Sequence, residues 1–340
     1  MQIATLGIDI GKTWFHVVAL DAAGKPMLRE KMNREKLIRF VSTCNASVIG
    51  MEACAGSQWL ARRFLRLGHQ VKLIAPRFVK AYLKSNKNDF NDAAAIAEAI
   101  QRPTMRFVAI RSLEQLDMQA VHRVRDQLIS ERTAIINQIR AFLLEYGIAV
   151  SVGRARLLKS LPGILEDAEN ELTPVMRSLV NQLRARLARI EDELEETTRR
   201  IDIAAAEDER CHRLRQIPGV GPIVATALIA AVGNAAQFRR ARDMAAWIGL
   251  VPRQYSTGGR SKLLGISKRG NGYLRRLLVQ GARSVINKTD RKRHRFGAWL
   301  TRLEQRAHQN VVAVSMANKL ARIAWAVLRG HEPYRAIAAQ

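Results

Sequence analysis

Cysteine is nearly absent from this chain. Cys44, Cys54 and Cys211 are the only three in 340 residues, an odd number with no Cys-x-x-Cys spacing, and the seven histidines form no cluster. That argues against a disulfide framework and against a zinc site, and it fits a reducing compartment. Long hydrophobic runs are scarce too: Ile223 to Val232 is about half the ~20 residues that a membrane helix needs. No basic-then-apolar leader opens the sequence. The expectation is a soluble cytoplasmic protein without a membrane partner. Acid is the most telling shortage, with 30 Asp and Glu against 56 Lys and Arg and a formal net charge of +26. An enzyme of small molecules has no need of such an imbalance, whereas a polyanionic partner does. The excess is concentrated at the end, where residues 233–340 hold 22 Lys and Arg against 4 Asp and Glu. Nucleic acid is expected to lie along that third.

Because acids are few, the positions of those present carry weight. In Leu6-Gly7-Ile8-Asp9-Ile10-Gly11-Lys12 a single carboxylate sits inside an apolar strand. Burying an isolated carboxylate costs several kcal/mol in practice, so such a group is normally paired, hydrogen-bonded or metal-bound. Residues 2–32 read as three strands with connections too short for crossovers, hence an antiparallel meander. Helices and short apolar strands then alternate, giving the order β-β-β-α-β-α-β-α of the ribonuclease H architecture. Glu52 follows the fourth strand, which in that architecture neighbours the first. Asp89 and Asp92, spaced i, i+3, share one face of a starting helix. Four carboxylates converging on one point suit hard Mg²⁺, which can hold the attacking and leaving oxygens of a phosphodiester. The plainer alternative for Asp89 or Asp92 is a helix cap, and for Asp9 a hydrogen-bonded turn.

Apolar positions at helical spacing mark residues 113–146 as one long helix or two, and Pro174 to Asp202 as another. Two antiparallel helices and an intermolecular coiled coil are both open, with a bend expected over Gly153 to Asn170. Ile217-Pro218-Gly219-Val220-Gly221 before a small-residue helix resembles a helix-hairpin-helix, whose Gly219 and Gly221 can turn backbone N–H groups toward a phosphate. A glycine-rich corner between packed helices is the plain alternative. Further on, Ser256-Thr257-Gly258-Gly259-Arg260 places two hydroxyls among Arg253, Arg260, Lys262, Lys268, Arg269, Arg275 and Arg276. Either a hydroxyl attacks DNA phosphorus here, or the segment is a flexible loop that grips phosphate without chemistry.

Together, Gly7-Ile8-Asp9-Ile10-Gly11-Lys12, Gly50-Met51-Glu52-Ala53, Asn86-Lys87-Asn88-Asp89-Phe90-Asn91-Asp92-Ala93, the Ile217–Gly221 segment and Gly249-Leu250-Val251-Pro252-Arg253 through Ser267-Lys268-Arg269-Gly270 are similar, in order and spacing, to the insertion-sequence one-ten transposases, including their one-one-one-one subgroup. The resemblance covers nearly the whole chain. It implies a RuvC-like DEDD domain over residues 1–110, a helical coiled-coil connector over 111–205 and a C-terminal transposase domain over 206–340. It also implies Asp9, Glu52, Asp89 and Asp92 as Mg²⁺ ligands and Ser256 as nucleophile, with Thr257 the alternative. Partners implied are target and donor DNA, a structured bridge RNA and further copies of the chain, as dimers pairing into a tetramer at the nucleoid. The rival reading is a metal-only, junction-resolving nuclease with a non-catalytic basic domain. A third reading is an architectural nucleic-acid binder with no chemistry.

Overall fold

The computed structural model of the chain describes residues 3–45, 47–82, 88–292, 294, 296–330 and 332–334. They fall into two compact units, Met1–Ser112 and Leu113–Gln340. The first holds β1 Thr5–Ile10, β2 Trp14–Leu20, β3 Pro26–Asn33, α1 Arg34–Thr43, β4 Val48–Glu52, α2 Ser57–Arg66, β5 Gln70–Ile74, α3 Pro76–Val79, α4 Asp89–Ala99 and β6 Phe107–Val108. Its six-stranded sheet runs in the order β3-β2-β1-β4-β5-β6. The β1–β2–β3 meander is antiparallel, β1, β4 and β5 are parallel, and β6 turns antiparallel to β5. The expected order of strands and helices is therefore present, with helices on both faces.

Alternation along β1 explains how the sheet is covered. Leu6 and Ile8 point to one face, where they are buried with Phe15, Val17, Leu37, Ile49, Met51 and Phe64 under α1 and α2. Gly7 points to the other face and stands opposite Gly50 of β4 in the parallel register. A Cβ on Gly7 would lie 2.1 Å from the Ala93 carbonyl oxygen, and one on Gly50 would lie 2.7 Å from Ile100. The paired glycines thus form a lane with no side chains, into which the alanine-rich α4 settles against the strand backbones.

The second unit holds α5 Leu113–Glu145, α6 Arg154–Glu166, α7 Pro174–Glu207, α8 Glu209–Arg215, α9 Pro222–Val232, α10 Ala241–Ile248, β7 Pro252–Thr257, β8 Arg260–Ile266, α11 Gly272–Lys288, α12 Gly297–Glu304 and α13 Gln309–Gly330. Helices α5 and α7 pack antiparallel within the chain, as the pairs Arg125–Thr198, Arg132–Glu191 and Glu131–Arg186 require. Between them lie Leu128, Ile135, Ile139 and Leu143 against Val180, Leu187, Ile190 and Leu194. Where a bend was expected over Gly153 to Asn170, the chain forms α6 with Pro162 inside it. Two physical causes support that helix. Leu157 and Leu161, one turn apart, are buried in the same core, and the Arg177 guanidinium donates to the carbonyls of Leu165 and Asp167 at 2.9 and 2.8 Å, gathering the loose end.

The connector helices are part of the same unit as the C-terminal helices. Gln115 and Gln119 of α5 donate to the Ile229 and Ala230 carbonyls of α9 at 2.9 and 2.6 Å. Helix α9 is buried along almost its whole length among α5, α7, α8 and α11. Helix α13 is long and apolar enough to cross a bilayer, yet Val312, Met316, Ala317, Leu320, Ala324 and Leu328 are buried in the C-terminal core. Its apolar stripe is thus spent inside the unit.

Candidate active site

The glycine lane continues directly into the acids. Two residues past Gly7 on the same face of β1 stands Asp9, and two past Gly50 at the end of β4 stands Glu52. Helix α4, seated on the lane, begins with Asp89 and carries Asp92 one turn later. Gly-x-Asp on one strand and Gly-x-Glu on its neighbour are therefore one device: the glycines admit the helix whose first turn completes the carboxylate set. Capping is done by another residue. Asn88 is the N-cap, its side chain accepting from the Phe90 N–H at 2.9 Å. Neither Asp89 nor Asp92 holds that role. Asn86 and Lys87 of the same motif lie outside the described residues.

Electrostatics register the crowding. The Asp9 carboxyl is pushed up from 3.8 to about 6, first by burial and then by the negative charges of Asp92, Asp89 and Glu52, with His16 pulling the other way. His16 sits directly across from Asp9 in the β1–β2 register. Its Nδ1 lies 3.6 Å from Asp89 Oδ2, and its ring meets Phe90 edge-on at 4.7 Å. Asp9, His16 and Asp89 each offer a ligand atom within 4.8 Å of the others. Donors that are mostly carboxylate oxygens, repelling one another strongly enough to lift Asp9, fit a hard divalent cation whose charge relieves that repulsion. Cys54, just past β4, borders the same site, and its thiol is held above the usual range by burial, Glu52 and Asp9.

Residues 252–266 are a hairpin rather than a loop. Strands β7 and β8 pair antiparallel around Gly258-Gly259, both in left-handed backbone conformations, at φ 52° and 76°. Strand alternation separates the two hydroxyls. Ser256 shares a face with Gln254 and with Ser261, its cross-strand partner, and its Oγ accepts from Gln254 Nε2 at 2.7 Å. Thr257 lies on the opposite face with Tyr255 and their partners Arg260 and Lys262. Every residue from Pro252 to Gly265 is exposed. The hairpin's base is rigid by contrast. A Cβ on Gly249 would meet the Arg269 carbonyl oxygen at 2.1 Å, and one on Gly270 the Trp247 carbonyl oxygen at 1.8 Å, so the two ends of the hairpin are locked against α10.

Comparison with known proteins decides the family. A family model for DEDD transposases of the IS110 type matches residues 6–148, and one described as the transposase of the IS116/IS110/IS902 family matches residues 211–297. The transposase for insertion sequence element IS1328 of Yersinia enterocolitica is 46% identical over 326 residues, covering 96% of this chain and 97% of the relative. The transposase for insertion sequence element IS1111A of Coxiella burnetii is 42% identical over 338 residues, 98% of this chain and 92% of the relative. A probable family 20 transposase of Pseudomonas aeruginosa is 42% identical over 340 residues, 98% and 99% of the two chains. The chain belongs to the IS110 family of transposases.

As an IS110 transposase it is an enzyme of DNA cleavage and rejoining, with DNA as its partner. The residues expected to touch nucleic acid stand in three kinds of environment. Arg253, Arg260, Lys262, Lys268 and Arg269 are exposed on or beside the hairpin. Arg275 and Arg276 make contacts within the protein: Arg275 Nη1 donates to the Ile248 carbonyl at 2.9 Å, closing the end of α10, and Arg276 pairs with Asp126 of α5 at 2.6 Å. Gly219, at φ 82°, is pressed against Gly281 of α11, where a Cβ would meet the carbonyl oxygen at 2.5 Å, whereas Gly221 opens α9 with free space beside it. The transposase's His16 is the site residue that sequence reading missed. Its signal was present, since the short Gly11–Thr13 turn fixes a register that puts the residue opposite Asp9 at position 16.

Proposed function

We propose that this transposase recombines DNA under the guidance of a bridge RNA, with Ser256 as nucleophile and a divalent cation, Mg²⁺, held by Asp9, Glu52, Asp89 and Asp92. The observation that carries the reading is the carboxylate set around Asp9, which makes chemical sense as a cation site and is costly otherwise. When bound, that cation neutralises nonbridging phosphate oxygens and stabilises the developing negative charge.

The Ser256 hydroxyl attacks phosphorus, a phosphoserine ester forms, and one strand's sugar oxygen leaves and takes up a proton. The hydroxyl's own proton passes to solvent or a neighbouring base. Attack by a second sugar hydroxyl on the ester then rejoins DNA and restores the serine, with the phosphodiester's energy conserved throughout. Gln254 Nε2 donates to Ser256 Oγ, an interaction that orients the oxygen and favours its deprotonated form. Arg260 and Lys262, which start from the ribbon's other face, supply countercharge for the phosphate by reaching around the exposed hairpin tip. The acids of one protomer acting with the serine of another, within paired dimers, is the assembly this reading adopts. Base pairing with the RNA supplies sequence choice, which leaves the protein to grip backbone and accounts for an excess of +26.

A second reading of the nucleophile rests on the hairpin's alternation, since Thr257 and not Ser256 shares a face with Arg260 and Lys262. The two are separated by incubating the protein, its copurified RNA and DNA bearing the element's ends, then examining denaturing gels for protein-linked DNA. Ser256→Ala is expected to abolish the adduct while Thr257→Ala retains it. The reverse pattern transfers the role to Thr257. Strand cleavage without any adduct in the unaltered protein refutes covalent catalysis and supports a metal-only nuclease. Absence of a discrete element-encoded RNA in the purified protein overturns guidance.

A further inference from the structure

A cavity of about 1030 Å³ opens where the hairpin base meets α12 and α13. Its apolar lining comes from Leu250, Ile266, Val311 and Val314, with the half-buried ring of Trp299 beside them. Arg253, Lys268, Lys319 and Arg322 bring cationic side chains to the lining, and no carboxylate is among its described residues. Lys319 Nζ lies 4.2 Å from the Trp299 ring centroid, so charge and aromatic surface are side by side. Asn310, Ser315 and Ser267 add hydrogen-bonding groups.

We infer that this cavity receives an unpaired nucleotide of the DNA strand engaged by the hairpin, its base in the apolar interior beside Trp299 and its phosphates on the cationic rim. The chemistry selects such an occupant. An apolar ligand offers no anion to Arg253, Lys268 and Arg322, whereas a paired duplex presents phosphates but keeps its base faces stacked inside. An unstacked nucleotide brings both a flat apolar face and an anion. Position selects DNA over the guide. Arg253 of the lining lies on the same strand as Ser256, about 10 Å away at the usual rise of ~3.3 Å per residue. A base held there is within a few nucleotides of the phosphate offered to the hairpin. The cavity wall is also held in place: Lys268 takes a left-handed conformation at φ 52°, and its N–H donates to the Gly249 carbonyl at 3.2 Å. The placement of this occupant rests on the hairpin reading above, but its test does not.

The test compares binding of the full-length protein to a single-stranded thymidine oligonucleotide of about 12 residues with binding to an abasic strand of equal phosphate count. The expected result is roughly tenfold tighter binding of the thymidine strand, the scale of one base stacked on an aromatic ring. Ser315→Trp, which fills the cavity from α13, is expected to bring that ratio close to one while leaving the abasic affinity in place. Val311→Trp, at an exposed rim position, serves the same purpose should the first variant unfold. A 5-iodouracil strand is expected to crosslink under ultraviolet light to the helix bearing Trp299. Equal affinity for the two strands, an unchanged ratio in a folded filled variant, or crosslinking confined to other segments overturns the assignment. A base-dependent advantage seen only with a uridine ribonucleotide strand also overturns it, and assigns the cavity to RNA. Ser256→Ala is expected to keep the ratio unchanged, so failure of the serine chemistry and failure of the pocket read out separately.

Discussion

Replacing Asp9 by asparagine should make the metal-free transposase more stable. The carboxyl rises from 3.8 to about 6 on folding, and each tenfold change in acidity is worth about 1.4 kcal/mol, so ionised Asp9 costs at most about 3 kcal/mol. Because Asp9 is only half-buried, solvent screening reduces this to roughly 1–2 kcal/mol. The sign follows from protons. Between pH 3.8 and about 6 the folded carboxyl holds a proton that the unfolded one has lost, so stability falls as pH rises through that window. Below it both states are protonated and the cost vanishes; above it the cost is complete. Thermal unfolding of Asp9→Asn in chelator at about pH 7.5 should therefore show the transition of the first unit raised by about 4–8 °C, with the gain shrinking toward zero near pH 4. Adding millimolar Mg²⁺ should stabilise the natural protein and not the variant, because a ligand that binds only the folded site adds its binding free energy to stability. A gain independent of pH, or a variant no more stable at about pH 7.5, refutes the argument that the acids repel one another around an uncompensated Asp9.

Other consequences follow from single contacts. Gly7→Val places a side chain where the Ala93 carbonyl of α4 lies, 2.1 Å from the ideal Cβ; unfolding measurements should show a loss of about 3 kcal/mol or more, with strand cleavage abolished. His16→Ala should weaken binding of Mn²⁺, followed by titration calorimetry, more than binding of Mg²⁺, since it removes the imidazole nitrogen from the group of Asp9, His16 and Asp89 while keeping the oxygens. His122 is buried, its Nε2 hydrogen-bonded with Thr226 Oγ1 and its Nδ1 with the Tyr273 hydroxyl, and it is pushed down from 6.5 to about 4 by burial and Arg125. Its folded form therefore binds fewer protons than the unfolded chain between those values. Stability of the second unit should fall by about 3 kcal/mol as pH drops from 6.5 to 4, with a shallower slope in His122→Gln under denaturant titration.

What could be read from the sequence follows the range of the physics involved. The meander and the alternating elements were legible because period-2 alternation and short turns are local rules, and the register they fix is unambiguous. Of the four expected acids, the structure brings ligand atoms of Asp9 and Asp89 within 4.8 Å of each other and of His16, while Glu52 and Asp92 act on Asp9 through their charge. The Gly153–Asn170 segment was misjudged because Pro162-Gly163 is a local break signal, overridden by the burial of Leu157 and Leu161 and by the reach of Arg177 across sequence. Likewise, nothing local marks Arg275 as the residue that closes α10 or Gly219 as the one pressed against α11. Charge alone selects both kinds of arginine, those facing solvent and those tied to a carbonyl or carboxylate of the protein, as Arg275 and Arg276 are.

The same contrast explains why the Ser256 segment could be read as a loop. Ser, Thr and two glycines are turn formers, and a two-stranded ribbon isolated from any sheet is marginal in water. Its order comes from its base, where Gly249 and Gly270 let two backbones approach more closely than any side chain allows. Tyr255 and Leu263, each about two-thirds exposed, remain uncovered on the ribbon. A rigid base under a solvated tip is an arrangement suited to presenting a hydroxyl to a substrate that arrives from outside the unit. Forcing that base apart by Gly270→Ala, which drives a Cβ into the Trp247 carbonyl, should therefore abolish adduct formation while leaving the acid site of the first unit able to bind Mn²⁺; loss of both together would tie the hairpin to folding of the whole chain instead.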